Sequence, residues 1–205
     1  MRRVSPNAFL MPSAVTVMGT LTSEGVVDFS TMSAVGVVCL TPAIVAVGVK
    51  PRRTAFANLM TRGSFSLLVP EARHLWLVDR LGTRSLRRHP LKPTLYKDAV
   101  DHFPSDNPIL RGMPIALDCE VIQALGRPDL GHAVSHQIVI AEVKDALVDD
   151  ALLMEGVVDT RKLHPIFYLA RQYFSRGSHL GSQRFTDDDE TMRAKMAAYE
   201  ARELP

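Results

Sequence analysis

Cysteine is scarce: the 205 residues include only two. Cys39 and Cys119 sit in apolar runs without C-x-x-C spacing, which argues against a cysteine zinc site and a disulfide framework. Two buried free thiols are expected instead, a state that fits a reducing cytoplasm. Net charge is nearly absent, with 24 Lys and Arg against 22 Asp and Glu and a formal balance of +2. That leaves no global pull toward nucleic acid or a membrane surface. The local cluster Arg84, Arg87 and Arg88 is read as a solvated helix face. No apolar run reaches the ~18 residues of a membrane helix, because the longest one is stopped at Lys50 and its neighbours. The basic start "MRRVSPNAFLMPSAVTV" contains no apolar stretch of signal-peptide length. G-x-G-x-x-G, the P-loop and H-E-x-x-H are all missing, as are repeats and low-complexity segments. No metal site is expected, and a phosphate-bearing cofactor has to be gripped without a glycine-rich loop.

What is present reads as a chain of short strands. "SAVTVMGTL" is rich in β-branched residues and ends at the turn Ser23-Glu24-Gly25. "GVVDFSTMSAVGVV" follows as its hairpin partner. "AIVAVGV" is a buried strand by its unbroken apolar content. "SFSLLVP", "IALDCEVIQAL" and "SHQIVIAEVKDALV" complete the set. Helices are fewer. Thr54 is the expected cap of "AFANLMTR". "EARHLWLVDRL" places Leu75, Trp76, Val78 and Leu81 roughly on one side. Residues 71–110 look like an excursion from the main sheet. The tail, residues 186–205, reads as a helix with Thr186 as cap, acids at its start, and a Met192, Met196, Tyr199 stripe. The expectation is a mainly β chain with helical insertions, a β-barrel domain over residues 1–185 followed by the helical tail.

One constellation points to chemistry. Ser30, Thr31 and Ser33 precede the strand that ends at Val49, and Lys50, Arg52, Arg53 and Thr54 follow it into a helix. Hydroxyls, cations and a helix start are the donors a phosphate monoester needs. If the strand beginning near Thr31 and the one ending near Val49 are antiparallel neighbours, the two groups face each other. The competing reading is a hydroxyl-rich edge and a separate solvated basic turn.

Seven motifs, in order, resemble those of the flavin reductase-like family of FMN-binding split barrels. They are Asp28-Phe29-Ser30-Thr31-Met32-Ser33, Leu40-Thr41-Pro42-Ala43 and Arg53-Thr54-Ala55-Phe56-Ala57-Asn58-Leu59, then Gly63-Ser64-Phe65-Ser66-Leu67-Leu68-Val69-Pro70. Leu117-Asp118-Cys119-Glu120-Val121, the run from Ser135-His136 to Glu142-Val143, and Pro165-Ile166-Phe167-Tyr168 with Tyr173 follow. Departures are Asp28 for an Asn, Ala34 for a bulkier residue, Ala43 for a second Pro, and Ala141 for a Gly.

The resemblance implies a split barrel that binds FMN, with FAD possible, and uses NADH or NADPH as co-substrate. It implies that Thr31 and Ser33 hold flavin, with the backbone of Met32 and Ala34 along the ring edge. Lys50, Arg52, Arg53 and Thr54 would take the phosphate, and Asn58 would brace their loop. His136 would lie near the nicotinamide or the flavin ring, to orient the one or donate to the other; the other reading is an exposed strand-start histidine. His164 and Tyr168 stand near a loop that approaches the site. A homodimer with flavin at its boundary is implied, and electrons would leave to free flavin, a partner monooxygenase or another acceptor. A non-enzymatic FMN electron carrier and a flavin-free binding module remain open on the same fold.

Overall fold

The computed structural model describes Arg3 and residues 10–126 and 135–175. The helical tail expected over residues 186–205 lies outside them. The strands are β1 (Ser13–Ala14), β2 (Thr16–Leu21), β3 (Val27–Met32), β4 (Val35–Cys39), β5 (Ile44–Val49) and β6 (Ser64–Val69). They continue with β7 (Val100–His102), β8 (Pro108–Leu110), β9 (Ile115–Leu125), β10 (Gln137–Val148), β11 (Leu153–Met154), β12 (Val157–Val158), β13 (Phe167–Leu169) and β14 (Gln172–Phe174). The helices are α1 (Thr54–Arg62) and α2 (Leu75–Thr83). The chain is therefore mainly β with helical insertions, as its sequence indicates.

Seven strands form one sheet in the order β3-β2-β6-β9-β10-β5-β4. Its two edge strands are consecutive in the chain. Flat, seven strands would set those edges about 29 Å apart. Only Ser33 and Ala34 link them, and three Cα steps reach about 11 Å at most. The sheet therefore curls until its edges approach, although among the described residues no ladder pairs β3 with β4. The single long strand expected over these residues is broken at that link.

Strand β2 is buried along its whole length because it has core on both faces. Val15 and Val17 point into one cluster with Phe29, Leu68, Val78 and Leu81. Met18 points into the other, with Val45, Val47, Val49, Leu59, Phe65 and Val139. The period-two alternation of a strand makes this division. Each fully buried side chain of this size stabilises the fold by about 1.5–3 kcal/mol.

Helix α1 starts one residue earlier than expected, at Thr54 itself. Arg53 occupies the cap position, no side chain caps the helix, and its first turn contains no acid. Gly63 ends it in the left-handed region at φ 70° and donates its N–H to Leu59 O, a conformation that favours glycine. In α2 only Val78 and Leu81 are buried. Trp76, expected on the same side, is exposed and lies under the Arg80 guanidinium. The excursion after β6 packs as a cover on the first cluster through Tyr96, Phe103 and Leu110. Arg84 lies just past the end of α2, and Arg87 and Arg88 are exposed in the following turn rather than on a helix. Cys119 is buried, whereas Cys39 is half-buried.

Candidate functional site

The link between the sheet edges opens into a cleft of about 830 Å³, a size that accepts a nucleotide-like ligand. Strand β3 delivers Ser30, Thr31 and Met32 to it, and the link delivers Ser33 and Ala34. Lys50 and Arg53 arrive from the turn after β5. They meet because β4 runs antiparallel to β5 from its first residue, pairing Val35 with Val47. Gly48 donates its N–H to Ala34 O at 2.7 Å. A Cβ on Gly48 would stand 2.9 Å from that of Ala34, so the close approach requires glycine here. The hydroxyl group and the basic turn thus share one cleft.

Helix α2 forms the adjacent wall. Thr31 donates its hydroxyl to Val78 O at 2.5 Å, and Arg53 donates Nη2 to Gly82 O at 3.0 Å. These two bonds hold the helix against both halves of the constellation. They also commit the Thr31 proton, leaving that oxygen as an acceptor only. Among the described residues the Ser33 hydroxyl has no protein partner. Lys50 has no carboxylate partner there either.

Three expected residues do not line the cleft. Arg52 is exposed on the turn ahead of α1. The Thr54 hydroxyl is buried without a hydrogen-bond partner. Asn58 faces the core, where Nδ2 donates to Thr20 Oγ1 at 2.9 Å; it ties α1 to β2 rather than bracing the basic turn. A residue one helical turn past the cleft faces inward because Ala55, Asn58 and Leu59 form the buried stripe of α1.

His136 does line the cleft, half-buried beside Ser135, whose Oγ is 2.9 Å from its Nδ1. Burial pushes its pKa below the ordinary histidine value, and the Lys50 charge adds to that. Tyr168 also lines the cleft, whereas His164 does not; the His164 backbone N–H donates to Glu71 Oε1. The Cys119 thiol is pushed up to about 12, chiefly by burial, and is a structural group.

Two features were not anticipated. The first is the C-terminal half of α2 as a cleft wall, together with the part of the β13–β14 hairpin beyond the expected Tyr168. They contribute Asp79, Gly82, Arg171 and Tyr173. The polar side of the α2 pattern was the one signal available. The second is the partner of Asp28. Lys92 Nζ donates to Asp28 Oδ1 at 2.6 Å, and the two side chains are 0% and 1% exposed. Ser30, on the cleft floor, bridges to both: its Oγ donates to Asp28 Oδ2 at 3.4 Å and accepts from Lys92 at 3.3 Å. Burial pushes the Asp28 carboxyl up and the Lys92 ammonium down, and their contact opposes both shifts.

Among the described residues the cleft holds three full cations, Lys50, Arg53 and Arg171, against one acid, Asp79. Its donor set suits an anion. Among the described residues no group of His, Cys, Asp and Glu is arranged to hold a metal, and no helix is long and apolar enough to cross a membrane.

The mainly β fold, its edge-to-edge link and a cationic cleft at that link define a class, and comparison with known proteins names it. The profile of the Flavin reductase like domain matches residues 8–176, and the chain belongs to that family. A comparison with curated proteins found no significant match. Among solved structures, flavoredoxin from Methanosarcina acetivorans superposes with a TM-score of 0.78 at 20% identity, over 91% of this chain and 97% of that one. The FMN-binding protein from Thermus thermophilus with bound 1-cyclohex-2-enone gives 0.72 at 20% identity, over 89% and 98%. Nitrilotriacetate monooxygenase component B from Bacillus cereus gives 0.71 at 20% identity, over 83% and 87%.

Proposed function

We propose that this chain is an FMN-binding oxidoreductase of the split-barrel type that takes hydride from NADH or NADPH and passes the electrons to an acceptor. The observation that carries the reading is the convergence of Thr31, Ser33 and Ala34 with Lys50 and Arg53 on one cleft. Family membership gives that cleft its cofactor class.

The residues present fit a flavin mononucleotide. Lys50 and Arg53 would take the phosphate, beside a helix start that no side chain caps and no acid opposes. The unpartnered Ser33 hydroxyl would donate to the ribityl chain or the phosphate. The backbone from Met32 to Ala34 would run along the ring edge, where N–H groups favour the reduced ring. Flavin supplies the hydride acceptor and the two-electron store. His136, whose pKa burial lowers from the ordinary histidine value, would orient the nicotinamide or donate a hydrogen bond to the ring. FMN is preferred to FAD because the sequence shows no recognisable adenine site.

The assembly we propose is a cytoplasmic homodimer, with residues 1–185 as the barrel and 186–205 as an appended helix. Exposed apolar residues on the edge strand and just beyond it, Val37, Val38 and Leu40, support a covered β4 edge. The acceptor would be free flavin, a partner monooxygenase or another electron carrier. The likeness to a flavoredoxin favours one second reading, a flavin-bearing electron carrier that does not react with nicotinamide.

The absorbance spectrum of purified protein, before and after adding FMN, tests the cofactor. A bound yellow band that bleaches anaerobically with NADH or NADPH is the expected result. A bound flavin indifferent to both nucleotides would establish the carrier. Protein that takes up no FMN would leave a flavin-free binding module.

A further inference from the structure

The hairpin β13–β14 reaches the same cleft from a part of the chain remote from the hydroxyl and basic segments. Its loop is Ala170 and Arg171, between Leu169 and Gln172, which pair. Both loop residues are left-handed, with φ of 49° and 67°. A two-residue hairpin loop of this kind is formed most readily by Asn-Gly or Gly-Gly. This chain instead puts a bulky cation at its second position.

Three observations place that cation in a binding role. Arg171 lines the cleft, and among the described residues it makes no ion pair. The same hairpin brings Tyr168 and Tyr173 to the cleft, packed edge to face with centroids 5.4 Å apart. The hairpin is also fixed in place, because Tyr173 donates its hydroxyl to Asp79 Oδ1 of α2 at 3.3 Å. That bond engages the one acid that lines the cleft among the described residues. What remains is an aromatic wall beside an unpaired guanidinium fork, on an element different from the one that presents Lys50 and Arg53.

We propose that Arg171 is a second anion site of the cleft, which binds the diphosphate of the nicotinamide nucleotide while Tyr168 and Tyr173 flank its flat rings. The assignment rests on the oxidoreductase reading above and adds to it a residue that selects the second substrate. A planar guanidinium is suited to two phosphate oxygens at once, and aromatic rings suit a stacked base. Lys50 and Arg53 then serve the flavin phosphate, and two anionic ligands share one cleft without competing for a cation.

Binding, rather than turnover, separates the possibilities. NAD⁺, NADP⁺ and FMN are titrated calorimetrically into wild-type, Arg171→Gly and Arg171→Lys protein, with a thermal melt of each. For whichever oxidised nucleotide binds wild type more tightly, Arg171→Gly weakens binding by about 10- to 100-fold, the worth of a charge-assisted contact. Arg171→Lys retains part of the affinity because the charge stays. FMN affinity changes by less than about twofold, since no flavin contact is removed. The melting temperature of Arg171→Gly holds or rises, because glycine accepts a left-handed turn. Unchanged nucleotide affinity in Arg171→Gly overturns the assignment while leaving the flavin reading intact. An equal loss of FMN affinity also overturns it, by moving Arg171 into the flavin phosphate site. Nucleotide binding that depends on Arg171 in a protein that takes up no FMN upholds the anion site and removes the flavin reading. Wild type that binds none of the three ligands ends both.

Discussion

Lys92→Met should cost this protein more stability than any surface change, and the structure gives the reason. The Lys92 and Asp28 side chains are 0% and 1% exposed and meet at 2.6 Å. Removing the ammonium leaves Asp28 with the single Ser30 hydroxyl as its remaining side-chain donor. Breaking a buried pair from one side costs about 3–5 kcal/mol, a large share of a typical 5–15 kcal/mol total. The orphaned carboxyl has one escape, protonation, and burial already pushes its pKa up. The penalty in the variant therefore grows with pH, by up to about 1.4 kcal/mol per unit between the unfolded and the folded carboxyl values. Asp28→Asn combined with Lys92→Met removes both charges at similar volume, and it should recover most of the loss. Urea denaturation of wild type, both single variants and the double at about pH 5 and about pH 8 measures all of this. A single-variant loss below about 1 kcal/mol, or a double variant as unstable as the two singles added together, would refute the buried pair as described.

Arg53→Ala should weaken FMN binding by about 1.5–3 kcal/mol, with a steeper salt dependence in wild type than in the variant, as read by flavin fluorescence titration. Arg53→Lys keeps the charge but loses the bond to Gly82 O, so it should fall between the two. Gly48→Ala should cost about 1–3 kcal/mol in a thermal or urea melt, because its Cβ would stand 2.9 Å from that of Ala34. Ala34→Gly in the same chain should restore the loss, and no restoration would mean that the contact is misplaced. Burial pushes His74 and His136 below the ordinary histidine value of 6.5, with Arg73 and Lys50 adding to it. The unfolded chain then binds more protons than the folded one just below that value, so stability falls as pH drops through it. His74→Asn and His136→Asn should each flatten that slope in melts between about pH 7.5 and about pH 5.5; slopes equal to wild type would contradict the direction of both shifts.

Much of this site was legible because its parts are local. Thr31, Ser33, Lys50 and Arg53 lie within two short segments: the β4–β5 pairing brings the Ser33–Ala34 link beside the basic turn, whereas Thr31, on β3 at the opposite edge, joins them only because the sheet curls. The break at Ser33 was not legible, because nothing in "DFSTMSAVGVV" ends a strand: neither Pro nor Gly falls at the link. The break arises from tertiary pairing, β3 to β2 and β4 to β5, on opposite edges of one sheet. Asn58 was misjudged for a related reason. Its position after Thr54 is visible in sequence, but its direction is set by which stripe of α1 meets β2. The Lys92 contact spans 64 residues and sits in an excursion that composition marks only as irregular.

That contact also changes the weight of the sequence's departures from its family. Asp28 in place of an amide suggests at first a cleft that has lost its ligand, since an unpaired acid would repel a phosphate. The structure removes the premise. The carboxylate does not line the cleft; it lies behind Ser30, with the Lys92 ammonium at 2.6 Å. Its charge is balanced locally, and the Ser30 hydroxyl, held from behind by both groups, is the part of that network the cleft presents. Ala34 is accounted for in the same way. The chain passes so close to Gly48 that the two backbones are hydrogen-bonded at 2.7 Å, and a small residue at that crossing leaves the cleft open where a flat ring would enter. Neither departure argues against a flavin, and among the described residues the cations that would hold it, Lys50 and Arg53, make no direct ion pair with a carboxylate.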